Sequence, residues 1–198
     1  MLFRWIRSPL LLCAALPGLL QAQTPSIEQA QAAMEAAVAA ERDNAPGTAS
    51  AVAAAMFAPH LRELPYCQHH EQGVADCIAG ADAGMKRRYR MLRLQPDGDG
   101  WRVLDVRPPA PTPPLAAAQA WLAGEIGQAL AEEADPAARR ALAADIGDAR
   151  AQAIEHCALR SEAAELDCAV RVQSATGEYS RTVRFQLREG RWQGQQPG

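Results

Sequence analysis

Cys168-Ala-Val-Arg-Val-Gln-Ser-Ala-Thr-Gly-Glu-Tyr-Ser-Arg-Thr-Val-Arg-Phe-Gln-Leu-Arg-Glu-Gly-Arg-Trp192 is the stretch that decides the fold. Cys168, Val170 and Val172 alternate with Ala169, Arg171 and Gln173. Beyond the turn Ser174-Ala-Thr-Gly177, Val183, Phe185 and Leu187 alternate with Thr182, Arg184 and Gln186. Successive side chains of a strand point to opposite faces, so this alternation predicts strands with one apolar and one wet face. Arg188-Glu-Gly-Arg191 supplies a second short turn into a last strand that begins at Trp192. Short Gly-containing turns between alternating runs make an antiparallel meander.

The same pattern stands earlier in the chain. Cys67, Cys77 and Trp101 precede Cys157, Cys168 and Trp192 by 90, 91 and 91 residues. Arg90-Met-Leu-Arg-Leu-Gln95 lies over Arg181-Thr-Val-Arg-Phe-Gln186, and the turn Asp97-Gly-Asp-Gly100 leads into Trp101-Arg-Val-Leu-Asp-Val106. Upstream, Gln29-Ala30 lies over Gln119-Ala120, and Pro46 over Pro136. Solenoid repeats run about 20–50 residues, so this longer period is one small domain duplicated.

Helices are expected ahead of each meander. Thr24-Pro25 reads as an N-cap followed by proline, opening a helix to about Arg42 with Ile27, Ala30, Met34, Ala37 and Val38 on one face. A second helix is expected from about Thr48 to Glu63, burying Val52, Met56 and Leu61. In the second unit, a helix from Leu115 to about Glu133 turns Trp121, Leu122, Ile126 and Leu130 inward. Asp135-Pro136 then caps another that ends near Ala153. With the strand that carries each first cysteine, the expected fold is α+β: a tandem duplication of a helix–helix–four-stranded antiparallel sheet unit. The helices cover one sheet face and leave the other free.

Three boundaries follow. Arg4 and Arg7, the apolar run Leu10–Leu16 and the small-residue end Leu20-Gln21-Ala22 read as a secretory signal peptide over residues 1–22. The apolar run is too short for a membrane span, which needs about 20 residues. Pro108-Pro-Ala-Pro-Thr-Pro-Pro114 holds five prolines in seven residues and reads as a polyproline II linker. It separates a first repeat, residues 24–107, from a second, residues 115–198.

Export makes the chain periplasmic or secreted and gives the cysteines a structural meaning. Four remain after the signal segment, and the duplication selects one of three pairings, Cys67–Cys77 and Cys157–Cys168, one bridge per unit. Removing Arg4 and Arg7 takes the net charge from −3 to −5. An acidic mature chain argues against nucleic-acid binding, which needs positive surface to neutralise phosphates. Lys86 is the single lysine among 20 basic residues, which we read, like the excess of alanine, as codon bias of a GC-rich bacterium.

The layout of a secreted tandem duplication, with helices on a four-stranded sheet and a bridge in each half, resembles the β-lactamase inhibitory proteins over the mature chain. What that resemblance implies is a concave double-sheet surface suited to a protein partner.

Few residues suggest chemistry. His69, His70 and Glu71, with His60 and Asp76 nearby, are the candidates for a metal site or an acid–base pair. Adjacent strand residues diverge, and no C-x-x-C spacing occurs, so a solvated loop is the expectation and no metal or cofactor is assigned. Serine nucleophile motifs and phosphate loops are absent, and no catalytic residue is assigned. Arg93, Arg171 and Arg184 should face away from the helices and form a basic strip, unless they pair with carboxylates of neighbouring strands. The expected function is an exported non-catalytic binding protein, inhibitor-like or immunity-like, using the open sheet faces to hold an envelope protein, a secreted protein or an anionic glycan. The alternatives are a periplasmic hydrolase or metal-dependent enzyme centred on His69, His70 and Glu71, and a structural envelope module.

Overall fold

The structure, a computed structural model, describes residues 24–44 and 59–195. The expected signal segment lies outside them. The chain runs α1 (Ile27–Asn44), β1 (His60–His69), a short 3-10 turn (Glu71–Gly73), β2 (Ala75–Ala83), β3 (Lys86–Asp97) and β4 (Gly100–Asp105). It continues with α2 (Leu115–Glu132), α3 (Pro136–Ile146), β5 (Arg150–Leu159), β6 (Glu165–Ser174), β7 (Gly177–Arg188) and β8 (Arg191–Gln195). The strands form two antiparallel meanders, β1-β2-β3-β4 and β5-β6-β7-β8. Both bridges form within a unit, Cys67–Cys77 and Cys157–Cys168, each between the first two strands of its sheet. The fold is α+β with a duplicated sheet unit.

The alternation in β6 holds residue by residue, with Leu166, Cys168, Val170 and Val172 buried and Asp167, Ala169 and Arg171 only partly so. Val183 and Phe185 of β7 and Trp192 of β8 complete that face, and α2 covers it with Ala117, Ala118, Trp121 and Leu122. In the first unit Ala30, Ala33 and Met34 of α1 lie on Cys77, Leu92, Leu94 and Trp101. The extra residue that changes the offset from 90 to 91 sits in the turn between the cysteine strands: three residues, Glu71–Gly73, against four, Ser161–Ala164.

Several helical expectations are corrected. Ser26 caps α1, not Thr24: Gln29 N–H donates to Ser26 Oγ (3.2 Å) and Ser26 N–H to Gln29 Oε1 (2.9 Å), a reciprocal capping box. Ile27 and Ala37 are exposed, because the buried stripe runs through Ala30, Ala33 and Met34. Most of the expected helix Thr48–Glu63, with Val52 and Met56, lies outside the described residues, as does Pro46 ahead of it. Its end, His60–Glu63, is strand, and Leu61 is buried there against α1. The last helix stops at Ile146 rather than Ala153, since Ala151 and Ala153 pair with Val172 and Arg171. Gly147 marks the stop: its N–H reaches Ala143 O, and a Cβ there would lie 2.4 Å from that oxygen. Asp135 caps α3 as expected, accepting from Ala137 N–H at 2.8 Å.

The internal equivalence of the helices is shifted by two residues. Gln31 Oε1 accepts from Leu61 N–H (2.8 Å), and Gln119 Oε1 accepts from Ala151 N–H (2.9 Å). Gln31, not Gln29, is therefore the counterpart of Gln119, and Ala30, Ala33 and Met34 fall under Ala118, Trp121 and Leu122. The volumes compensate. A Cβ on Gly194 would stand 2.8 Å from Trp121 Cβ, whereas Ala33 goes with Val103 at the position matching Gly194. A large helix residue meets glycine in one copy, and a small one goes with valine in the other.

The first sheet does not keep an open face along its whole width. Ile78 and Met91, on the side away from α1, belong to the core of the second unit, and Tyr66 meets Trp192 edge-on with ring centroids 5.0 Å apart. Tyr89 N–H donates to Ser161 O (2.9 Å), and Arg88 Nη1 lies 3.0 Å from Glu162 Oε1. Pro108, Pro111 and Pro113 of the linker are buried, and Pro114 keeps polyproline dihedrals (φ −64°, ψ 143°) up to the start of α2.

Candidate functional site

The polar residues singled out in the sequence gather at one place in each unit, built the same way twice. Asp76 on β2 faces Arg93 on β3, its direct cross-strand partner, and Asp167 on β6 faces Arg184 on β7. Arg93 grips Asp76 with two bonds, Nε to Oδ1 and Nη2 to Oδ2, both 2.7 Å. Arg184 Nε donates to Asp167 Oδ1 at 3.0 Å and lies 3.6 Å from Glu165. A second nitrogen donor completes each node from just beyond the end of the first strand. His70 Nε2 lies 2.8 Å from Asp76 Oδ2, and Arg160 Nη1 lies 3.0 Å from Asp167 Oδ2. His70 and Arg160 stand 90 residues apart, so the second unit has an arginine where the first has a histidine.

Burial alone would push the Asp76 carboxyl up. The bonds from Arg93 and His70 outweigh it and hold the group below the ordinary carboxylate range. The same opposition, with Arg184 and Arg160 as donors, lowers Asp167. The hydrogen bond to Asp76 in turn raises Arg93. Each node is an ionised carboxylate held between two donors.

Arg171 is the third arginine of the expected strip. Its Nη2 lies 3.5 Å from Glu155 Oε1. All three arginines thus meet carboxylates of an adjacent strand, and they do not form a strip of free cations. His69 and His70 diverge: His69 Nε2 lies 3.0 Å from Thr24 Oγ1, beside the start of α1, while His70 turns to Asp76. Glu71 lies in the turn and lines an open groove of about 520 Å³ with His70, Arg93 and Leu104. Among the described residues, no three His, Cys, Asp or Glu side chains gather as a metal site would require.

Sequence reasoning singles out Asp76 only as a neighbour of the histidines and misses its counterpart Asp167, although the dipeptides Asp76-Cys77 and Asp167-Cys168 recur at the repeat offset.

A different kind of surface lies along β4. Trp101 and Val103 point toward α1, whereas Leu104 and Val106 remain 44% and 48% exposed. Leu104 borders the groove of His70 and Arg93. Val106 borders a cleft of about 290 Å³ between the two units, whose other wall includes Cys157 and Leu159 of β5. Comparison with protein-family models, with curated proteins and with solved structures finds no match. Among the described residues no helix is long and apolar enough to cross a membrane, and the two disulfides suit an oxidising compartment.

Proposed function

We propose that this is an exported, periplasmic or secreted, non-catalytic binding protein that holds a protein partner along the β4 side of the junction between its two units. The observation that carries this reading is the exposed apolar pair Leu104 and Val106, flanked by a groove on one side and the inter-unit cleft on the other. Exposed apolar residues grouped beside concave surface favour partner contact, whereas scattered ones carry no such meaning. The polar nodes support the same reading from the opposite direction. Asp76 and Asp167 are each saturated by two donors and held ionised, which suits an architectural ion pair better than a proton-transfer group. Their repetition in both copies fits a shared framework role. Arg93 then contributes a positive rim to the groove while remaining anchored on Asp76.

The test is a crosslinked pull-down from bacterial envelope extract with mature protein, beside Leu104→Ser/Val106→Ser and Arg93→Glu/Arg171→Glu/Arg184→Glu variants. A specific partner lost by the folded serine variant supports the proposal. Equal capture by that variant refutes the β4 surface, and loss only in an arginine variant that remains folded by circular dichroism moves the contact to the sheet faces.

A further inference from the structure

The cleft beside Val106 has an unusual frame: two strand edges whose backbone pairing begins and then stops. β3 spans Lys86–Asp97, but β4 pairs with it only from Arg93 onward. On that side the preceding stretch of β3 has one backbone partner, Ser161 O, which accepts from Tyr89 N–H. Backbone groups of a strand point alternately to its two sides, so the N–H and C=O of Met91 face the same way as Tyr89 N–H. β5 is the outer strand of the second sheet. Arg160 N–H turns inward to Glu165 O, so the backbone groups of Leu159, like Ser161 O, turn outward. Tyr89, Met91, Cys157 and Leu159 all line the one cleft. The Tyr89–Ser161 bond is the only backbone bond between the two sheets among the described residues, so the pairing it starts does not continue to Met91 and Leu159.

Such an edge is a template for another strand. Met91, Val106, Cys157 and Leu159 give the cleft apolar walls, and its only charged residues are Arg90 and Arg107. Neither has an ion-pair partner among the described residues, in contrast to Arg87, Arg88, Arg93, Arg171 and Arg184. Resting on the binding-protein reading above, we infer that the inter-unit cleft binds an extended peptide segment bearing acidic side chains. The segment adds its backbone to the free edges at Met91 and Leu159, and its carboxylates meet Arg107 and Arg90. Alternation along an extended chain sends one set of side chains to the apolar walls and the other to the arginine side.

The experiment pans a phage-displayed random dodecapeptide library on the mature protein, with enriched peptides synthesised and titrated. The inference expects peptides that combine acidic and apolar residues. Binding should weaken about tenfold or more for Arg107→Glu, an exposed position whose change leaves the fold intact. Methylating alternate peptide nitrogens should abolish binding, and bound peptide should slow amide exchange at Met91 and Leu159. The inference is overturned if no peptide is enriched, if enriched peptides bind Arg107→Glu equally, or if neither amide is protected. A pulled-down partner that is lost on Leu104→Ser/Val106→Ser but protects neither amide overturns the strand-addition inference alone and leaves the binding-protein reading standing.

Discussion

Replacing Asp76 by alanine should weaken the fold more than the same change at Asp167, and the difference follows from how each carboxylate is housed. The Asp76 side chain is only 6% exposed and accepts two bonds from Arg93 and one from His70. Removing one partner of a buried pair costs about 3–5 kcal/mol, because the other is left without its counter-charge. Arg93 is 34% exposed, so water takes over part of the lost solvation and the expected cost falls to about 2–3 kcal/mol. Asp167 is 30% exposed, and its donors Arg160 and Arg184 keep Glu165 nearby, so the expected cost is about 1–2 kcal/mol. Urea unfolding followed by tryptophan fluorescence would read these costs as midpoint shifts of about 1–1.5 M and 0.5–1 M, taking a slope near 2 kcal/mol/M. The pH dependence gives a second check. A carboxyl whose native pKa is depressed contributes its full stabilisation above the unfolded value, about pH 4, and loses it as pH falls through the native value. The gap between wild type and Asp76→Ala should be present in full at pH 5 and narrow as pH falls below 4. A cost below about 0.5 kcal/mol for Asp76→Ala, or a gap unchanged at pH 2, would mean that the Asp76 carboxylate does not stabilise the fold through Arg93 and His70.

Three further outcomes are expected. Replacing both cysteines of either bridge by alanine should lower stability by about 2–3 kcal/mol, read by thermal melts in which reductant affects only variants that retain a bridge. Gly194→Val should cost about 1–3 kcal/mol through collision with Trp121, and Trp121→Ala about 3–5 kcal/mol through its cavity. The double variant, which copies the Ala33 and Val103 combination of the first unit, should cost less than the sum by about 1 kcal/mol or more in a double-mutant cycle. Gln31→Ala and Gln119→Ala should each cost about 1 kcal/mol in denaturant titrations, since each strands a first-strand N–H.

What could be read in the sequence followed from signals with strict spacing. Period-two alternation around Cys168–Val172 and Val183–Leu187, and the recurring cysteines and tryptophans, led to the correct strands, sheet order and bridges. Helix ends were less legible because alanine is compatible with both patterns. Ala151 and Ala153 continue a helical reading, yet pairing with β6 overrides their propensity, as pairing with β2 does at His60–Glu63. Ala-rich helices also align at several offsets, and only the bonds of Gln31 and Gln119 to first-strand amides fix the correspondence. The arginine strip was half visible. Alternation put Arg93, Arg171 and Arg184 on the face away from the helices, but a count of charges along one strand does not show that Asp76, Glu155 and Asp167 lie opposite them. The seam between β3 and β5 had no local signature, since it arises from contact between residues about seventy positions apart.

The most direct test of the binding account introduces a photo-crosslinking benzoylphenylalanine at position 106, beside the inter-unit cleft, and separately at position 182 on the wet face of the second sheet. Each mature protein is irradiated in envelope extract, and the adducts are mapped by mass spectrometry. A partner held beside the cleft gives a discrete adduct from position 106, displaced by excess unlabelled wild-type protein, and none from position 182. Adducts from position 182 alone, or no displaceable adduct from position 106, would contradict binding beside the cleft.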